Sequence, residues 1–418
     1  MAKYQILGNK NLKGKIAVAG NKNSVLPIMA ACLLTQQNCI LENVPAISDV
    51  SVMVKLLESC GVSITEIGKG KLRVNAQKID KIEFSPQLTE QLRASVLLLG
   101  PMLARVGEIN MGYPGGDIIG RRPLEAHFQV LKALGGKIKT ENDKFIVEAP
   151  RLRSNEIFLQ EASVTATENA LMASVCSEGN TTIKRAASEP HVVDLCHFLI
   201  KMGAKIKGVG SNVLSVSGVK KLSGATHSIR PDHIEVGTFA ILAAVTKSRI
   251  EISPIIEEDL AMILLILKEF GVQAEFKKNT LCISGGNLKS VEKVVTDVWP
   301  GFPTDLMAPM IVLATQARGV TLLHDWMYES RMFFVDKLMS MGAKIAIADP
   351  HRVLVYGPSN LRGQRLDTPD IRAGIALVIA ALAAEGQSVI EKAELIERGY
   401  ENIVERLTNL GAVIKKIS

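Results

Sequence analysis

The stretches LLESCGVSI (56–64), LKALGGKIK (131–139), LIKMGAKIK (199–207), LKEFGVQAE (267–275), LMSMGAKIA (338–346) and LTNLGAVIK (407–415) are six copies of one pattern. Each has apolar residues at helical spacing, then a glycine, then an alternating segment. That order reads as the end of an amphipathic helix, a left-handed cap and a strand. Gly61, Gly135, Gly203, Gly271, Gly342 and Gly411 follow one another at steps of 74, 68, 68, 71 and 69 residues. Six repeated units therefore account for the chain of 418 residues.

A second element recurs in the same register. A polar residue opens a very apolar helix at Lys22-Asn23, Arg93, Glu168-Asn169, Glu235, Asp305 and Arg372, at steps of 71, 75, 67, 70 and 67 residues. Helices apolar nearly all round belong in an interior, and the more amphipathic, glycine-capped helices cover the outside. Six units divide into three and three. The expected fold class is α/β, with two similar domains and an active-site cleft between them.

Composition limits the function. The chain is 47% apolar and 22% charged, which suits a soluble globular protein. Aromatic residues are only 4%, too few for a stacking surface for single-stranded nucleic acid. The formal charge is 49 − 42 = +7, dispersed rather than gathered in a tail, so a small anionic ligand fits it and no nucleic-acid partner is expected. The six cysteines form no C-x-x-C pair, and buried thiols in a reducing cytosol are expected. Met1 to Gln5 lack a signal-peptide core, and the longest apolar run, 375–384, is too short to span a bilayer. The expected location is the cytoplasm, without membrane association. Seven scattered histidines form no H-x-x-x-H pair, and a lone one such as His127 reads as a packed or surface residue rather than a catalyst. No Walker A or G-x-G-x-x-G element is present, and neither a metal nor a cofactor is expected.

Charge placement is the stronger functional signal. A helix N-terminus is partially positive, so a cation there costs roughly 0.3–1 kcal/mol. Lys22, Arg93 and Arg372 nevertheless open buried helices, and Arg122, Arg331 and Arg398 precede outer ones. Such cations, repeated in register and joined to positive helix ends, suit a polyanionic ligand.

The segments AGNKNSVLP (19–27), LRASVLLLGP (92–101), PGGDIIGRRP (114–123), SVTATENALMA (163–173), RPDHIEVGTF (230–239), PGFPTDLMAP (300–309), ESR (329–331) and ERGYENI (397–403) resemble the signatures of the UDP-N-acetylglucosamine 1-carboxyvinyltransferase family of enolpyruvyl transferases. The resemblance runs from about residue 5 to 415. It implies two inside-out α/β domains, each of three βαβαββ repeats. The first domain is expected at 20–230, carrying a lid loop at 112–123, and the second at 1–19 plus 231–418. It also implies two small-molecule substrates, phosphoenolpyruvate and UDP-N-acetylglucosamine, and an early step of peptidoglycan synthesis. Oligomeric state stays open between a monomer and a weak homo-oligomer.

The same resemblance assigns roles. Lys22 contacts phosphoenolpyruvate; Arg122 and Arg398 hold its phosphate; Arg331 and Arg372 serve its carboxylate. Asn23 meets the sugar and Arg93 lines the diphosphate region. Ser163, Val164 and Thr165 cradle the UDP, and Met327 joins the nucleotide-sugar set. Asp305 accepts the proton of the sugar 3′-hydroxyl or orients that group; on its own residues it reads first as a plain helix cap, and the resemblance reverses that preference. The chemistry, addition then elimination, needs a base, an acid and several cations, which this set supplies.

Two positions depart from the family. Most members carry Cys where this chain has Asp117, in a lid whose glycines also read as a plain turn. A carboxyl group in a dry cleft can act as the acid, but it is a poorer nucleophile than a thiolate toward an epoxide. Resistance to fosfomycin, which alkylates the lid cysteine, is therefore expected. Glu161 stands where relatives often have a base. Two rivals share parts of the pattern: a 5-enolpyruvylshikimate-3-phosphate synthase-like transferase and a non-catalytic UDP-sugar-binding paralogue. Lys22, Arg398 and Asp305 are all present, which favours catalysis.

Overall fold

The computed structural model describes residues 2–117 and 119–417; Ile118 of the expected lid loop lies outside the described residues. Each of the six glycines does adopt a left-handed conformation, with φ from +87° at Gly271 to +103° at Gly203. A side chain is strained there, which is why glycine ends each outer helix. Directly after each cap comes a strand, as at Lys205–Lys207 after Gly203 and Lys344–Asp349 after Gly342.

The described residues form six four-stranded sheets of one plan. In each, the first two strands run parallel and the remaining pairs antiparallel. The sheet Glu156–Phe158, Asn180–Lys184, Val213–Ser217, Lys205–Lys207 is an example. An apolar helix leads into the second strand each time, here Val164–Ser174. Five-residue strands alternate buried and half-buried residues, so one face of the sheet packs inward.

Two compact units result, each described by itself. One comprises Gly20–Gly116 and Arg122–Arg230; the other comprises Met1–Ala19, Asp117–Arg121 and Pro231–Ser418. Three sheets fall in each. Two strands leave their sequence neighbours to complete these sheets. Thr226–Ser228 lies parallel to Cys39–Glu42, and Lys13–Ala17 lies parallel to Arg249–Ser253. The strand Lys3–Leu7 pairs with Val413–Ile417 and Gln387–Glu391.

Asp117–Arg121 was expected with the first domain as part of its loop and instead groups with the unit holding Pro231–Ser418. The reason is local bonding. Asp117 pairs with Arg398, the Ser330 N–H donates to the Ile119 carbonyl, and the Arg121 N–H donates to Glu329.

Each unit has its own hydrophobic core, and the helices supply most of it. Every residue of His233–Val245 is buried, as are all but the last of Ile371–Ala383. Among the described residues no helix is long and apolar enough to cross a membrane. Five of the six cysteines are buried and all six are unbridged. One register expectation shifts: Glu168 and Asn169 do not open their helix, which begins at Val164, but lie inside it. Ser163 is the cap there, its hydroxyl accepting from the Ala166 N–H.

Candidate active site

Asp305 sits in the short turn Thr304–Leu306 that leads into the apolar helix Met307–Gln316. One carboxylate oxygen accepts from the Arg331 Nη2 at 3.1 Å. The other accepts from the Arg372 Nη2 at 2.8 Å and Nε at 3.1 Å. Both arginines are buried, whereas the Asp305 side chain is 25% exposed. Arg331 and Arg372, both expected to serve the phosphoenolpyruvate carboxylate, here form one clamp on the Asp305 carboxylate. Burial works against the Arg372 cation, but Asp305 and Tyr400 more than offset it and hold the guanidinium above the ordinary arginine range. Arg331 behaves alike, with Asp305, Asp370 and Asp325 opposing burial. Its Nε–H is buried with no hydrogen-bond partner among the described residues.

The supports of this clamp have no mark in the sequence. Asp370 caps the helix Ile371–Ala383, accepting from the N–H groups of Arg372 and Ala373 at 2.8 and 3.0 Å. Burial pushes the Asp370 carboxyl above its usual value. The Tyr400 hydroxyl, fully buried, accepts from Arg372 Nη1 at 3.0 Å and bonds the Thr238 hydroxyl at 2.9 Å. Asp325, also fully buried, accepts from the hydroxyls of Thr296 and Thr304 and from the Met327 N–H. One carboxylate thus ties the turn holding Asp305 to the segment leading to Arg331. Among the described residues Met327 enters this network through its backbone N–H.

In the same unit Asp117 Oδ1 lies 2.5 Å from Arg398 Nη1. The expected acid is therefore bonded to the cation expected to hold phosphate. Glu329 accepts from the Arg121 N–H at 2.9 Å, and that bond holds its carboxyl below the usual range.

The other unit carries the remaining candidates. Asn21 caps the helix Lys22–Ala31 by accepting from the N–H groups of Asn23 and Ser24. Lys22 in its first turn reaches Asp49 at 2.9 Å, a largely buried pair. Asn23 is half-buried beside it. Arg93 opens the turn Arg93–Leu98, and its guanidinium donates to the carbonyls of Pro114, Arg122 and Pro123. Both stems of the loop 112–123 are knitted by this one side chain. Arg93 and Arg122 line a recess of about 420 Å³ with Pro114, Leu124 and Phe128. The Arg122 side chain makes no hydrogen bond or ion pair among the described residues. A larger, open recess of about 590 Å³ is lined by the Lys144–Glu83 ion pair among others and holds none of the candidates.

Ser163, Val164 and Thr165 form the start of Val164–Ser174. Thr165 bonds His127 Nε2 at 3.1 Å, and His127 Nδ1 meets Asn169 Nδ2 at 3.0 Å. Burial, and then the charge of Arg93, push His127 down to about 3, so the imidazole is neutral. Of the packed and surface readings of His127, its 1% exposure selects the packed one, and it touches the candidate nucleotide cradle. Glu161 is exposed, and its carbonyl accepts from the Ser163 N–H.

Buried ion pairs of this kind contribute little net stability, because desolvation offsets their attraction. Clustered buried cations holding partly exposed carboxylates mark a functional centre instead.

Comparison with known proteins bears on this centre. The family described as EPSP synthase (3-phosphoshikimate 1-carboxyvinyltransferase) matches residues 6–407. A protein of Borrelia garinii subsp. bavariensis named UDP-N-acetylglucosamine 1-carboxyvinyltransferase is 46% identical, over 100% of this chain and 99% of its own. One of the same name from Bradyrhizobium diazoefficiens is 47% identical, over 99% of this chain and 98% of its own. Among solved structures, the enolpyruvyl transferase NikO from Streptomyces tendae superimposes with a TM-score of 0.90 at 24% identity, covering 100% of this chain and 99% of that one. This last likeness establishes the fold.

Proposed function

This chain belongs to the EPSP synthase (3-phosphoshikimate 1-carboxyvinyltransferase) family, and from that membership we propose that it moves the enolpyruvyl group of phosphoenolpyruvate to the 3′-hydroxyl of UDP-N-acetylglucosamine. The relatives' shared name supports the choice of acceptor. In this reading the sugar oxygen attacks C2 of phosphoenolpyruvate while a proton joins C3. The tetrahedral adduct then loses a C3 proton and the C2–phosphate bond, leaving an enol ether and inorganic phosphate. No cofactor is required. Peptidoglycan synthesis in the cytoplasm is the setting, and a monomer or weak homo-oligomer is the form.

The observation that carries the reading is the clamp on Asp305. A base that takes a hydroxyl proton must be ionised and fixed in direction. Two guanidinium groups do both, and the open Nε–H of Arg331 offers the substrate carboxylate a donor. Arg398, which Asp117 meets at 2.5 Å, takes the phosphate. Asp117 then leaves that bond to serve as the lid acid. Lys22 and Arg122 add cations for phosphoenolpyruvate. Asn23, Arg93, Ser163, Val164, Thr165 and Met327 serve the nucleotide sugar.

Phosphate release from phosphoenolpyruvate tests this, with UDP-N-acetylglucosamine and shikimate 3-phosphate as alternative acceptors. Release with the nucleotide sugar alone is expected. Asp305→Asn is expected to lower kcat by about 10²–10⁴, the usual worth of a positioned base. Release with shikimate 3-phosphate, or an Asp305→Asn enzyme within threefold of wild type, would overturn the acceptor or the base respectively.

A further inference from the structure

Thr165 and Asn169 are four residues apart on the helix Val164–Ser174, so their side chains share one face. His127, from the helix Glu125–Ala133, lies against both. Asn169 and His127 are 0% and 1% exposed, so every polar atom between them must find a partner within the protein.

Direction along this chain can be read from its far end. The Gly100 N–H can only donate, so the Asn169 atom facing it at 2.7 Å is Oδ1. The Val96 carbonyl can only accept, so the atom facing it at 2.9 Å is Nδ2. The amide orientation is thus set without reference to the histidine. The second Nδ2 hydrogen meets His127 Nδ1 at 3.0 Å, and that nitrogen must accept. A proton on Nδ1 would face an N–H, which disfavours both the imidazolium and the Nδ1–H tautomer. The ring hydrogen therefore sits on Nε2 and is donated to Thr165 Oγ1 at 3.1 Å. With its oxygen accepting, the Thr165 hydroxyl has its own hydrogen left to give, at the positive start of a helix.

We propose that His127 and Asn169 are positioning residues that make Thr165 a dedicated hydrogen-bond donor, so that this corner of the site selects an acceptor oxygen of the UDP moiety. The identity of the ligand rests on the proposed function; the polarity of the chain does not. Phosphate and uracil carbonyl oxygens are both acceptors, and both match a fixed donor. A ligand presenting only an N–H at this point would leave the Thr165 hydrogen unpaired and be disfavoured, since an unpaired polar group away from water is costly. Burial and the nearby Arg93 charge keep the imidazole neutral, so the tautomer persists at working pH.

Two measurements on the full chain test this. Long-range ¹H–¹⁵N spectra of the ligand-free protein at neutral pH read the His127 ring directly. A protonated Nε2 and a bare Nδ1 are expected; a protonated Nδ1 overturns the relay. Calorimetric titration with UDP-N-acetylglucosamine then compares Thr165→Ser with Thr165→Val. The serine variant keeps the donor and should bind within about threefold of wild type. The valine variant should bind at least tenfold more weakly, the usual effect of losing a hydrogen bond to a charged group. His127→Leu should match Thr165→Val, and the double variant should add nothing further. Equal binding by the valine and serine variants overturns the donor role. Titrating UDP and uridine against the same variants identifies the acceptor: a penalty for UDP alone places it on a phosphate, and a penalty for both on the base. A wild-type chain that binds no nucleotide sugar refutes the ligand and the proposed function together, while the ring spectrum still decides the relay.

Discussion

Asp117 and Arg398 meet at 2.5 Å, and that distance sets what the lid residue can do. A carboxylate bonded to the cation proposed to bind phosphate stands where that reading puts a substrate oxyanion, so in that reading substrate displaces it before it acts as an acid. It also carries no thiolate. Fosfomycin is an epoxide, and a carboxylate opens epoxides far more slowly than a thiolate does. Incubating wild type with fosfomycin is expected to leave both mass and activity unchanged, whereas Asp117→Cys should gain a covalent adduct and lose activity. A lid adduct on the wild-type chain would refute this. His127 makes a second residue-scale case, through its protonation. In the unfolded chain an imidazole takes up a proton below about 6.5. In the folded chain burial, then Arg93, hold that uptake down to about 3. Between those values the unfolded state binds more protons, so folding stability falls as pH falls, with a slope approaching ~1.4 kcal/mol per pH unit. Above the unfolded value the group contributes no slope. Urea unfolding of wild type and His127→Gln should therefore differ by a constant above about pH 7 and converge, or cross, as pH drops toward about 4. Parallel curves throughout would mean that the imidazole is not held neutral.

The six glycine caps are the element that repeats most faithfully, and they differ in what surrounds them. At Gly203 an added Cβ would meet nothing within 4 Å, so substitution there reports backbone strain alone. At Gly61 the same atom would approach Asp80 at 3.0 Å. Gly203→Ala is expected to cost about 1–2 kcal/mol, the cost of a left-handed non-glycine residue, and Gly61→Ala somewhat more. Chemical unfolding checks both, and an unchanged midpoint for Gly203→Ala would mean that the cap relaxes freely. These caps, and the apolar helices between them, were legible in the sequence because each is a local pattern. Strand exchange was not. Lys13–Ala17 pairs with Arg249–Ser253, yet alternation in a five-residue strand specifies a face and never a partner. The site divides in the same way. Lys22, Arg372 and Asp305 stand out because their charges oppose or adorn a helix start. Asp49, Asp325 and Tyr400 do not, since a lone carboxylate or tyrosine acquires meaning only from a partner far along the chain. Arg93 is also bonded to three carbonyls of the loop stems, a use beside its proposed diphosphate role that only the folded loop reveals.

At the scale of the molecule, the hydrophobic residues form two clusters that share no member, one in each compact unit. Cooperative unfolding is a property of a shared core, so two separate cores imply two cooperative blocks rather than one. Scanning calorimetry is expected to give a van't Hoff enthalpy of roughly half the calorimetric value, as for two blocks of similar size. The ligand then distinguishes them. Ser163, Val164 and Thr165 belong to the unit of Gly20–Gly116 and Arg122–Arg230. UDP, the part of the substrate assigned to those residues, should therefore stabilise that block selectively. By mass action a ligand at one hundred times its Kd adds about 2.7 kcal/mol to whatever binds it. One component of the thermogram should move upward with UDP while the other stays in place. Thr165→Val, which weakens the ligand but also leaves the buried His127 Nε2–H unpaired, should shrink that movement and lower the ligand-free transition of the same block, whereas Thr165→Ser should do neither. A single transition that shifts as a whole would show that the two cores unfold as one block. Movement of the other component instead would place the nucleotide on the wrong unit and take the Ser163–Thr165 assignment with it.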